Sequence, residues 1–193
     1  VWNVLSYNNG EYYIVSSVLL DTHCYYNSTS IRTIGGQTVY PNNYKYSDIR
    51  TWLNADFYNS AFALGNKYIQ TTTVDNSAST TSNSSNKYAC SNTEDKVFLP
   101  SYKDYNNSSY GFFNSSYYAD ARRRCKTTDW ARARGAYCNT SPSYLYNGWY
   151  WSRSPSAGKT YSAWDVSTDG SLGDDIVHQP QLSVRPAVSM KIV

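Results

Sequence analysis

Aromatic side chains dominate this sequence: 21 tyrosines, 6 tryptophans and 5 phenylalanines, 17 % of 193 residues, beside only 16 % charged residues. That balance excludes a coiled coil and a charge-rich disordered tail, which need long charged runs and few rings. Rings in such number call for a core, and a chain of this length can bury roughly 70 % of the surface its unfolded form exposes. One domain spanning residues 1–193 is the expectation. No window reaches the ~18 consecutive apolar residues of a spanning helix, and the longest apolar-rich stretch, residues 12–20, is broken by Ser16 and Ser17. The sequence opens on Val1 rather than Met, which suits prior removal of a signal peptide or a leading domain.

Cys24, Cys90, Cys125 and Cys138 are widely spaced, and with His23 and His178 the only histidines no zinc-binding pattern forms. An Asn/Ser/Thr/Tyr-rich surface with only Glu11 and Glu94 as glutamates suits an extracellular or virion-exposed chain. Two states of the thiols stay open: disulfides, with Cys125–Cys138 and Cys24–Cys90 as the pairing for a secreted protein, or free buried cysteines. The sequons at Asn27, Asn83, Asn106, Asn107, Asn114 and Asn139 are what composition alone produces in a chain so rich in Asn and Ser.

Residues 2–5 and 12–20 read as strands joined at Asn8-Asn9-Gly10, since Asn-Gly supplies the positive φ angles of a tight hairpin. Ile49, Trp52, Leu53 and Phe57 recur at helical spacing behind a Ser47 or Asp48 cap, predicting a helix over 47–57. A short helical turn over 61–64, closed by Gly65, follows it. Further strands are expected at 68–74, at 96–99 before Pro100, at 149–151, at 161–167, at 171–178 beyond an Asp169-Gly170 turn, and at 184–193. The Ser/Asn/Thr-rich stretch 75–93 reads as a long surface loop. Strands at both ends, one helix and long loops make an α+β domain with adjacent termini, the final strand beginning at Arg185-Pro186 and pairing with the opening hairpin.

Several segments then carry a combined signature: Ser47-x-Ile49-Arg50-x-Trp52-Leu53-Asn54-x-x-Phe57-Tyr58, Asp95-Lys96-Val97-Phe98-Leu99, Thr128-Asp129-Trp130-Ala131-x-Ala133-x-Gly135, Trp149-x-Trp151-x-Arg153-Ser154-Pro155 and Val184-Arg185-Pro186-Ala187. Together they resemble, nearly end to end, a bacterial and phage-borne domain family of unassigned role, frequent at the ends of secreted or surface proteins of Gram-positive gut bacteria. That family is similar in layout to the C-type-lectin-like fold of formylglycine-generating enzymes and of the variable proteins of diversity-generating retroelements. The resemblance implies a C-type-lectin-like scaffold that displays its ligand-binding residues from the last third of the chain. Ser152 and Ser183 depart from the family pattern of leucine and glycine, and both fall in that last third.

Catalytic signals are weak. The two histidines are far apart, no G-x-S-x-G elbow occurs, Asp174-Asp175 sit on opposite faces of any strand, and no cysteine pair for formylglycine-type oxidation lies beyond Cys138. Gln179-Pro180-Gln181 lacks the carboxylate that a lectin calcium loop requires. Arg122, Arg123, Arg124, Lys126, Arg132 and Arg134 cluster, yet Asp120 and Asp129 lie among them, so a solvated, ion-paired face is expected rather than a nucleic-acid surface. No cofactor and no metal is expected.

What remains is a Tyr/Ser/Asn/Gly composition akin to antibody paratopes, dense over residues 139–181. With Trp149, Trp151 and Val166 taken as core, strand alternation sends Tyr150, Tyr161, Asp165 and Ser167 outward, with Asn147, Lys159, Asp174, Asp175, His178 and Gln181 around them. These ten residues are the expected binding face for a protein or glycan ligand on a cell surface. The expected function is non-catalytic recognition outside the cell or on a phage virion, in its narrower form the variable protein of a diversity-generating retroelement. An enzyme acting on cell-wall or glycan substrates and a structural surface module are the competing expectations.

Overall fold

The computed structural model describes residues 1–62, 66–113 and 118–191. Gly65 with the second half of the turn expected over 61–64, the Asn114 sequon and the end of the expected C-terminal strand lie outside them. The first hairpin, β1 (Trp2–Asn8) and β2 (Glu11–Ser16), turns where expected: Asn9 and Gly10 both hold positive φ, 49° and 84°. Then come β3 (Asp21–Thr22) and a small hairpin of β4 (Arg32–Ile34) and β5 (Gln37–Val39). The predicted helix is present as α1 (Asp48–Trp52) and a π-helical stretch (Leu53–Phe57), and it runs on beyond the expected end into α2 (Tyr58–Ala61). Ser47 caps it, its side chain accepting from the Arg50 N–H, and the apolar stripe sets Ile49, Leu53 and Phe57 into the core.

After the helix follow β6 (Ile69–Gln70), β7 (Thr72–Val74), β8 (Thr93–Asp95), α3 (Asp129–Ala133) and five strands that end the fold: β9 (Tyr150–Pro155), β10 (Ser162–Val166), β11 (Leu172–Ile176), β12 (Ser183–Val184) and β13 (Ala187–Lys191). They form two main sheets, ordered β1-β2-β13-β6 and β11-β10-β9-β12-β3. The last strand thus lies against the opening hairpin, with Val188 opposite Ile14. All pairings in the two sheets are antiparallel except β12 with β9.

Arg185 and Pro186 fall between β12 and β13 rather than inside the final strand, and they join the sheets. The buried Arg185 guanidinium donates to the Ser16 carbonyl of the first sheet at 3.0 Å and to the Tyr150 hydroxyl of the second at 3.0 Å. The Tyr150 hydroxyl in turn donates to the Arg123 carbonyl. Much of the aromatic load is internal: Tyr25, Tyr44, Tyr105, Tyr150 and Trp151 have no exposed surface. Tyr25 meets Trp151, and Tyr105 meets Tyr150, edge to face.

Two expectations are corrected here, and of the two thiol states left open the structure takes one. The strand at 96–99 is reduced to a single bridge between Phe98 and Ala187, because the helix supplies the partner groups a strand would have. The Asn54 side chain accepts from the Lys96 and Val97 N–H groups and donates to the Val97 carbonyl. The 75–93 loop is not purely superficial, since Asn76, Thr81, Asn86 and Tyr88 are buried and Asn86 donates to the Pro155 carbonyl at 2.9 Å. All four cysteines are free: Cys125 directs its thiol to the Ser17 carbonyl and Cys24 to that of His178, so neither expected bridge is made.

Candidate functional site

The site begins with a short local motif. At Ser101-x-x-Asp104 the Asp104 carboxylate accepts from the Ser101 N–H at 2.7 Å while the Ser101 hydroxyl accepts from the Asp104 N–H at 3.0 Å, the reciprocal geometry of a capping box. The same carboxylate oxygen accepts from Arg153 at 2.9 Å and lies 3.4 Å from the Tyr13 hydroxyl. Arg153, on β9, also donates to the Leu99 and Asp75 carbonyls, so its head is fixed in one place. Burial alone would lower the guanidinium's proton affinity, but the Asp104 charge beside it outweighs that, and the pKa stays raised.

Over this ion pair lies a groove of about 280 Å³, walled by Tyr13, Tyr110 and Phe98, with Glu11 and Asp75 at the rim and Ser189 from β13. Tyr13 stacks on Phe98 at 5.7 Å and meets Tyr110 edge-on at 5.6 Å. Burial, and next the Asp104 charge, raise the pKa of both tyrosines, which therefore stay neutral and can donate or accept hydrogen bonds. A rigid charged floor, neutral hydroxyls and aromatic walls suit the holding of a polar ligand.

None of the ten expected face residues lines this groove, and three of them are not on the surface. Tyr150 is fully buried, because β9 is covered on both sides along its whole length and alternation there chooses between two interiors. Asn147 is buried, its amide donating to the Thr168 carbonyl at 2.9 Å. Asp165 is buried on β10 opposite Gly173; desolvation, then the charges of Asp175 and Asp174, push its pKa up to about 8. Ser152 and Ser183 are likewise interior, so the departures from the family pattern alter packing. Trp151 and Val166 are core as expected, while Trp149 is half-buried and stacked on Tyr137 at 4.5 Å.

Of the rest, Lys159 pairs with Asp174 at 3.2 Å, Tyr161, His178 and Gln181 are exposed, and Ser167 and Asp175 are half-buried. The structure therefore joins Lys159 with Asp174 and sets Asp165 near Asp174 and Asp175. It does not gather the ten into one concave face. No local pattern in the sequence marks Tyr13 or Tyr110 as site residues; the capping-box spacing at Ser101 and Asp104 is a local signal for Asp104 alone.

Groove and scaffold together define a chain of small mixed sheets and few helices with a preorganised polar cleft beside its first sheet. The chain belongs to the family described as a domain of unknown function, DUF6273, which matches residues 11–192. No curated protein and no solved structure matches it.

Proposed function

We propose that this chain is a non-catalytic recognition domain, displayed outside the cell or on a phage virion, that binds a glycan or the polar surface of a protein in the Tyr13–Tyr110 groove. The observation that carries the reading is the Asp104–Arg153 pair, held by backbone groups on several sides beneath two neutral tyrosines. The site is thus built before a ligand arrives, and little ordering cost remains to be met on binding. Aromatic faces interleaved with hydroxyls and carboxylates favour a glycan. A C-type-lectin-like plan belongs to the same reading; what supports it is the final strand paired to the opening hairpin and a second sheet drawn mostly from the last third of the chain.

The test is Tyr110→Ala and Glu11→Gln, with melting temperature and binding to a glycan array and to host-cell surface as readouts. The expected result is an intact fold and, for Tyr110→Ala, a loss of about 2 kcal/mol or more in binding. Lys159→Ala and Tyr161→Ala leave binding unchanged. The opposite pattern moves the site to the last third of the chain. A diversity-generating origin confines useful variation to exposed positions such as Lys159, Tyr161, His178 and Gln181; a downstream near-copy of the coding segment for residues 149–193, differing only at adenines, tests it.

A further inference from the structure

A second concavity lies on another part of the molecule, where α1 and the π-helical stretch approach β3 and α3. Its volume is about 290 Å³, and it is lined by Leu20, Asp21, Trp52, Asp56, Phe57 and Trp130, with Ser60 and Ala61 completing it. Trp130, one of the residues lining it, is 61 % exposed. It is nevertheless held: its indole N–H donates to one Asp21 oxygen at 3.0 Å, and α3 beneath it is fastened by Thr128, which caps the helix and donates to the Leu19 carbonyl. Trp52 is braced by His23 stacked on it at 4.9 Å and by Phe57 at 5.1 Å.

Both charged groups lining the trough are carboxylates, in a chain whose net charge is +3. Asp21 is partly compensated by Arg134 at 3.7 Å; Asp56 is exposed and carries no ion pair among the described residues. The geometry points to this trough as a binding site for an organic ammonium cation, either a lysine side chain of a partner protein or a small quaternary ammonium headgroup. Indole faces are the best aromatic partners for such a cation, and carboxylates accept hydrogen bonds but donate none. Two carboxylates against one arginine leave a net negative charge at the trough, which favours a cation there.

The experiment uses protein labelled with 5-fluorotryptophan and fluorine NMR, the Trp130 and Trp52 resonances being assigned from Trp130→Phe and Trp52→Phe. The probes are choline, N-acetyl-lysine methylamide and 3,3-dimethylbutan-1-ol, the uncharged isostere of choline. The expected result is a saturable shift of the Trp130 and Trp52 resonances with at least one cation, and binding of the isostere at least about tenfold weaker. Asp56→Asn weakens cation binding about threefold or more, and Tyr110→Ala in the groove leaves it unchanged, so this site and the groove fail independently. Which cation binds tells the headgroup from the peptide source. Equal binding of the isostere, no saturation by either cation up to about 50 mM, or shifts confined to other tryptophans would overturn the assignment.

Discussion

Asp165 shows how far one side chain can depart from what its type suggests. In the unfolded chain it titrates near ~3.9, whereas in the fold its pKa stands at about 8, raised first by desolvation and then by Asp175 and Asp174. Between these values the unfolded chain has lost a proton that the folded one keeps, so stability falls as pH rises through that window and levels off above it. The slope is at most ~1.4 kcal/mol per pH unit. Asp165→Asn, which cannot ionise, is expected to remove the slope and to be the more stable protein at pH 9; denaturant unfolding at pH 5, 7 and 9 checks this, and parallel profiles for the two proteins would refute it. The sequence held no warning of such burial. An aspartate between Trp164 and Val166 reads as the outward member of an alternating strand, and that reading fails only because the sheet is covered on both faces.

Local chemistry made the hairpins and the main helix legible. Asn9-Gly10 turns the first hairpin, Asp169-Gly170 the one joining β10 to β11, and the Ile49-Leu53-Phe57 stripe marks the helix. At Gly170 the requirement is doubled: φ is 84°, and a methyl group there would lie 2.0 Å from the Asp120 carbonyl oxygen. Gly170→Ala is therefore expected to cost about 3 kcal/mol or more, read as a fall in the denaturation midpoint. The Arg123 side chain should be disturbed with it, since it donates to the Gly170 carbonyl at 2.7 Å. What stayed hidden were elements defined by distant partners. α3 is five residues long, too short for an apolar period to emerge, and β8 was masked by the more apolar residues that follow it. The groove was hidden for the same reason: Tyr13, Asp104 and Arg153 come from three remote segments, and only the folded chain brings them together.

The whole molecule relies on side-chain joints rather than covalent ones. Thiol titration of the denatured, unreduced protein is expected to give four reactive groups. In the native state reaction should be slow at Cys90 and Cys125, whose thiols burial pushes up, away from the reactive thiolate. Fewer than four in denaturant would reveal a bridge. The joint between the sheets is instead Arg185, reaching Ser16 on one side and Tyr150 on the other.

That β13 sits inside its sheet, between β2 and β6, has a temporal meaning. The β1–β2 hairpin waits for a strand some 170 residues further along, and Phe98 waits for the same strand, 89 residues beyond it, through its bridge to Ala187. Closing contacts of such separation is slow, and no nascent chain short of residue 187 contains a complete first sheet. Until residue 187 is made, the β2 edge of the hairpin has no strand to pair with, and an unpaired edge of that kind is prone to pair wrongly.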